Sequence, residues 1–160
     1  MCLFILEILL AKETLLTTIP WMSAEWIISF TLTLTSLSDD CNLVQFTTGG
    51  DYGVVGGRIP AIFINKHQGT VDMVYINSVS GKNRAVRSFI PPINVETQIE
   101  MHQRYVSSGN YRFFIVVNGE EINSVFSTAR QFYNVKVYSS NPWHNTCPGY
   151  IKNFKFTNFL

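Results

Sequence analysis

The sequence predicts an all-β fold built from antiparallel strands, a sandwich or a barrel. Three observations predict it. From Trp26 onward, apolar and polar residues alternate with period 2 in short runs. Turn-forming residues interrupt those runs about every 8–12 residues. Aromatics make up 14% of the chain, with twelve Phe and seven Tyr, and such residues favour strands.

The elements follow in order. Met1–Ala11 is apolar apart from Glu7 and Cys2, then Lys12 and Glu13 interrupt. The run is too short to span a bilayer, which needs about 20 residues. Residues 1–22 therefore stand apart as an atypical signal, a short helix or a fragment start, and residues 23–160 form the domain. Trp26, Ile28, Phe30, Leu32 and Leu34 share one face of a strand, with Ser29, Thr31 and Thr33 opposite. After a polar loop comes Leu43–Thr48. Gly49–Gly57 holds five glycines in nine residues and is irregular. Ile59–Ile64, Val71–Asn77 and Ala85–Phe89 read as further strands. Val95–Tyr105 alternates with Thr97, Ile99 and Met101 against Glu96, Gln98, Glu100 and His102. Tyr111–Val117 and Glu120–Val125 flank Asn118-Gly119, the signature of a hairpin with a type I′ turn. Phe126–Tyr133 is expected to hold a short helical turn. Val135–Tyr138 and Tyr150–Phe156 complete the set. Inward residues are expected to include Trp26, Phe30, Leu32, Ile99, Phe114, Val116, Val135, Val137 and Phe154.

Composition excludes some functions. Hydrophobic residues reach 46% and charged residues only 14%, so the chain has the means to bury a core. Twelve Lys+Arg against eleven Asp+Glu leave a net charge of +1, which provides no global field for nucleic acid. Cys41 and Cys147 become an even pair if the N-terminus is removed, and their spacing alone does not decide whether they bond.

The order of motifs resembles a known superfamily. Trp26-Ile-Ile-Ser-Phe30, Phe46-Thr-Thr-Gly-Gly50, Gly57-Arg-Ile-Pro-Ala61, Asn118-Gly119, Asn134-Val-Lys-Val-Tyr138, Asn141-Pro-Trp143 and Gly149-Tyr-Ile-Lys-Asn153 carry the resemblance. Together, over Glu25–Phe156, they resemble the concanavalin A-like, laminin-G-like jelly rolls. The pattern is similar to a little-characterised module of extracellular animal proteins. The resemblance implies a jelly-roll sandwich of two curved antiparallel sheets, and binding rather than catalysis. Such modules place an acidic residue just before the arginine, where this chain has Gly57. Laminin-G-like domains often hold calcium at a loop rim, which would fall here to Asp39 or Asp51; the alternative is that these acids shape turns.

Catalytic signatures are weak. The E-x-D-x-x-E spacing of jelly-roll glucanases is absent, so a degenerate glycoside hydrolase is the least favoured expectation. Glu96 and Glu100 share a strand face but read as solvated polar residues. His144-x-x-Cys147 lacks a second pair of zinc ligands nearby. Neither G-x-S-x-G nor a phosphate-cradling loop occurs.

Glycan recognition is the sharpest expectation. Asp51, Tyr52 and Arg58 in one loop, with Asn141, Trp143 and His144 in another, supply acceptors, donors and aromatic faces suited to sugar rings. The structural alternative has Trp143 plugging the sandwich and Arg58 pairing with a loop acid. The expected function is a non-enzymatic extracellular, lectin-like or cell-adhesion domain without an obligatory cofactor, binding glycan or an extracellular protein. The competing expectation is a structural or assembly module without a small ligand.

Overall fold

The computed structural model describes residues 2–159, with side chains from residue 5. Thirteen strands run along the chain: β1 (Cys2–Leu9), β2 (Leu15–Met22), β3 (Trp26–Leu34), β4 (Cys41–Thr47), β5 (Ala61–His67), β6 (Thr70–Asn77), β7 (Arg84–Ser88), β8 (Thr97–Ser107), β9 (Asn110–Val117), β10 (Glu120–Ser127), β11 (Phe132–Ser139), β12 (Asn145–Thr146) and β13 (Gly149–Asn158). They form two sheets. One has the order β1-β13-β3-β8-β9-β10 and the other β2-β11-β4-β5-β6-β7, with short β12 alongside β4. Pairing is antiparallel throughout except for β12, which runs parallel to β4. The fold is the expected all-β jelly-roll sandwich.

A short helix, one of the three alternatives for residues 1–22, is not formed. Residues 2–9 pair with β13 and residues 15–22 with β11, so the apolar N-terminal segment gives one strand to each sheet. Its apolar run hid the difference, because a short run of this kind suits a strand as well as a helix. The helical turn expected over Phe126–Tyr133 is also absent: β10 ends at Ser127 and β11 starts at Phe132.

The core lies between the sheets. On β3 the predicted face is the buried one, with Trp26, Ile28, Phe30, Leu32 and Leu34 all inside. Phe154 from β13 lies between Phe30 of the same sheet, at 6.0 Å between ring centroids, and Phe46 of the opposite sheet, at 6.3 Å. Phe46 also meets Phe156 at 5.6 Å. This aromatic column couples the two layers. On β9 the expected register is wrong by one residue. Phe113, Ile115 and Val117 are buried, whereas Phe114 and Val116 face outward. Phe113 to Val117 is an unbroken apolar run, so no alternation marks which side is which. Phe114 instead stacks on His102 of β8, 4.6 Å away, with Arg112 over its ring.

At the Asn118-Gly119 turn both residues have positive φ, 49° and 83°, and Val117 pairs with Glu120 across it, as the type I′ geometry requires. A Cβ at Gly119 would meet nothing within 4 Å, so only backbone strain opposes a larger residue. Gly119→Val should therefore lower stability by about 1 kcal/mol or more through that strain. A denaturant midpoint equal to wild type would refute this account of the turn. Phe30 is buried and stacked on Phe154, so its truncation removes that packing and leaves a cavity. Phe30→Ala should cost about 3–5 kcal/mol, read as a lower urea midpoint at unchanged slope.

Candidate functional site

The site starts with a buried strand. Every residue of β4 is buried, including two polar ones, Asn42 and Gln45. A register shift between Asn42 and Val44 lets both amides serve the outer face of the sheet although they lie three residues apart. Next to them, β5 and β6 are apolar on both faces. Ile62, Ile64, Met73 and Tyr75 join the main core, while Ala61, Phe63, Val74 and Ile76 form a second buried cluster on the other side.

Two loops fold back onto that outer face. Between β4 and β5, Arg58 lays its guanidinium over Phe63 at 4.6 Å. Its Nε donates to Asp51 Oδ1 at 2.7 Å and its Nη2 to Asp51 Oδ2 at 3.2 Å, a two-pronged pair. Gln45 Nε2 donates to Asp51 Oδ1 at 3.1 Å and to the Gly57 carbonyl at 2.9 Å. Between β11 and β13, Asn141 is fully buried. Its Nδ2 donates to Gln45 Oε1 at 2.5 Å, and its Oδ1 accepts from the backbone N–H groups of Trp143 and His144. The Asn141 backbone N–H donates to Asn42 Oδ1 at 2.8 Å. His144 meets Phe63 edge-on at 5.0 Å and brings Nε2 within 3.8 Å of Asp51 Oδ2. The two loops named from the sequence thus meet, through Asp51, His144 and the shared partner Gln45.

The six predicted residues divide into two groups. Arg58 and Asn141 are buried, Asp51 is largely so, and these three tie loop to sheet. The alternative that Arg58 pairs with a loop acid is realised. Tyr52 is 72% exposed and Trp143 45% exposed, so Trp143 does not plug the sandwich. His144 lies between, partly exposed. Sequence reasoning missed Asn42, Gln45 and Phe63. The signal was present: two amide side chains inside the otherwise apolar strand Cys41-Asn-Leu-Val-Gln-Phe46.

Gly57 also finds its reason here. A Cβ at this position would stand 1.9 Å from the Asp51 carbonyl oxygen, so no side chain fits. The acid expected beside the arginine is replaced by Asp51 from across the loop. Cys41 and Cys147 are joined by a disulfide with Cα atoms 4.9 Å apart, which pins the second loop to the start of β4.

Asp39 and Asp51 are the two acids expected to hold a calcium ion. Both Asp51 oxygens are engaged by the Arg58 cation, and no group of three or more His, Cys, Asp or Glu side chains converges among the described residues. Asp39, the other expected ligand, sits in the turn before β4, where its backbone carbonyl accepts from Ser38.

Burial by itself would raise the Asp51 pKa, but the hydrogen bond and charge of Arg58, with help from Gln45 and His144, hold it below its ordinary 3.8. His144 is held below its ordinary 6.5, first by burial and then by the charges of Arg58 and Lys12, with Asp51 opposing. A base whose folded pKa is lowered binds more protons when unfolded. The stability it contributes is present above pH 6.5 and is lost as pH falls below it. Wild-type melting temperature should therefore drop between about pH 7.5 and about pH 5, and His144→Gln should flatten that slope. Equal slopes in the two proteins would count against a strained neutral His144.

No protein-family model matches the chain, and no curated protein matches it in sequence. Solved structures do match in fold. Alginate lyase Aly36B superposes with a TM-score of 0.58 at 13% identity, covering 96% of this chain and 80% of that one. A SAP-like pentraxin from Limulus polyphemus gives 0.56 at 11% identity, covering 93% and 74%. The exoplasmic/lumenal domain of VIP36, in its Ca2+/Man3GlcNAc-bound form, gives 0.53 at 11% identity, covering 98% and 81%. The chain has the concanavalin A-like jelly-roll fold, and at these identities the likeness speaks for the fold alone.

Proposed function

We propose that this chain is a non-catalytic extracellular recognition domain that binds glycan through the rim where its two loops meet. One observation carries the proposal: Asp51 and His144 meet on a hydrogen-bonded base, and each has an exposed aromatic side chain as its chain neighbour, Tyr52 and Trp143. Sugars bind where an aromatic face covers the apolar side of a ring and fixed polar groups meet its hydroxyls. His144, partly exposed beside Asp51, is a polar group within reach. The glycan bound to VIP36 and the lyase named for alginate support the class of ligand. The disulfide supports an oxidising compartment. The carboxylates support a non-catalytic role: Glu25, Asp51, Asp72, Glu96, Glu100 and Glu121 are each held by a cation or a histidine.

A second reading, an assembly module, draws on a different observation. The outer strand β1 exposes Leu6 and Leu9, and β1 and β2 each lack a partner on one side. No helix among the described residues is long and apolar enough to cross a membrane.

The deciding experiment measures glycan binding and melting temperature on the same variants. Trp143→Ala should weaken binding roughly tenfold or more while costing no more than about 1 kcal/mol of stability. Asn141→Ala should lose both, because it cuts the bond to Gln45 and the support of two backbone N–H groups. A broad glycan panel with no hit, together with dimers that dissociate on Leu6→Lys or Leu9→Lys, would favour the assembly reading.

A further inference from the structure

A cavity of about 320 Å3 opens beside the rim, between the loop joining β6 to β7 and the end of β10. It lies where the two sheets meet at one end of the sandwich, since β6 and β7 belong to one and β10 to the other. Ligand pockets run from roughly 300 to 1,000 Å3, so this one suits a single ring or a smaller molecule.

Its lining is polar and one-signed. Lys82 and Arg84 are both present and no carboxylate is. The ion pairs that Arg and Lys form among the described residues belong to Arg58, Arg87, Arg104, Arg112 and Lys152. Lys82 and Arg84 therefore face one concavity with no carboxylate in its lining and no ion-pair partner among the described residues. Around them stand the Asn83 amide and the hydroxyls of Ser80, Ser127 and Thr128, with Val79 the single apolar side chain of the lining. Asn77 lies beneath, buried, with its amide donated to Gln103 of the opposite sheet.

Backbone hydrogen bonds brace the loop that carries Lys82. The Ser78 backbone N–H donates to the Arg58 carbonyl at 2.6 Å, and the Gly81 N–H to the Ser78 carbonyl at 3.2 Å. A Cβ at Gly81 would touch the Gly53 carbonyl and Val55, so this loop packs against the Gly-rich loop of the rim. Ser78, between two lining residues in sequence, keeps a buried hydroxyl without a hydrogen-bond partner.

From this geometry we infer a second binding site, one that takes a single sugar ring carrying a negative group, a carboxylate or a sulfate. The two cations meet the anion, Arg84 through a planar fork and Lys82 as a point charge. The amide and hydroxyls meet ring hydroxyls, for which they supply both donors and acceptors. A cavity with two cations and a single apolar side chain favours an anionic ligand over an apolar one. Because its lining shares no residue with the rim, the site holds whether or not the rim binds glycan.

The test is an amide-resolved NMR titration of the full chain with glucuronate, glucose 6-sulfate, glucose and inorganic sulfate. Glucuronate or glucose 6-sulfate should shift the backbone amides of Asn83, Arg84 and Ser127, with affinity falling as salt is raised. Arg84→Gln should weaken that binding about tenfold, Arg84→Lys should recover part of it, and adding Lys82→Gln to Arg84→Gln should abolish it. Both side chains are exposed, so the variants should fold, and unchanged spectra elsewhere would verify it. The inference fails if the lining amides do not respond to either anionic sugar. It also fails if glucose binds equally well, if inorganic sulfate matches glucose 6-sulfate, or if the double variant binds like wild type.

Discussion

The middle of one sheet is apolar on both of its faces, and much of the molecule is arranged to satisfy that constraint. Residues of β5 and β6 alternate between the main core and a second cluster of Ala61, Phe63, Val74 and Ile76. An antiparallel sandwich usually leaves its outer faces to water. Here the outer face must be covered by chain, and two loops fold back onto it. A loop laid on an apolar surface must still satisfy its backbone and polar side chains. The Asp51–Arg58 pair answers both demands. Its cation sits on the Phe63 ring, and its carboxylate accepts from both Arg58 and Gln45. Asn42 does similar work at the next position, donating to the Ile62 carbonyl while accepting from the backbone of Asn141.

Charge placement follows from the same packing. An acid directly before Arg58 would need a Cβ where the Asp51 carbonyl already lies. The chain therefore draws its carboxylate from six residues earlier, and the tight loop 49–57 becomes a hydrogen-bonded unit rather than a free span. The disulfide between Cys41 and Cys147 acts on the other loop at its far end, while Asn141 holds the near end. Burial then gives His144 its depressed pKa, with the cations of Arg58 and Lys12 adding to it. The proton sensitivity of this corner is a consequence of covering an apolar face with polar chain.

Much of this was legible in the sequence, and what was not has identifiable causes. The β3 face, the Asn118-Gly119 turn and the two loops rest on local signals, which alternation and turn chemistry express directly. The N-terminal strands were illegible because Leu3–Leu10 is apolar almost without interruption, and the strands that β1 and β2 pair with, β13 and β11, lie far away in sequence. The β9 register failed for the same reason, since Phe113–Val117 offers no polar residue to mark a side. Among site residues, the loop members stood out by type, whereas Gln45, Asn42 and Phe63 were concealed within strands. Their role depends on the sheet being buried twice, a property of tertiary packing that no single strand displays.

The division of labour within the site bears on how it could recognise a ligand. Side chains that bind must be exposed, and exposed side chains are usually mobile, so ordering them on binding costs affinity. In this rim the backbone beneath the exposed rings is already ordered. The Trp143 backbone N–H donates to Oδ1 of buried Asn141, and Tyr52 follows Asp51, whose carboxylate is held by Arg58 and Gln45. Only the rings themselves retain freedom, and aromatic side chains have few torsions to lose. The elements that give the loops their stability are therefore the ones that would limit the entropy cost of binding. This is also why Arg58 and Asn141, though named for ligand contact from their type, contribute from beneath the surface: they position the rim and do not face outward from it.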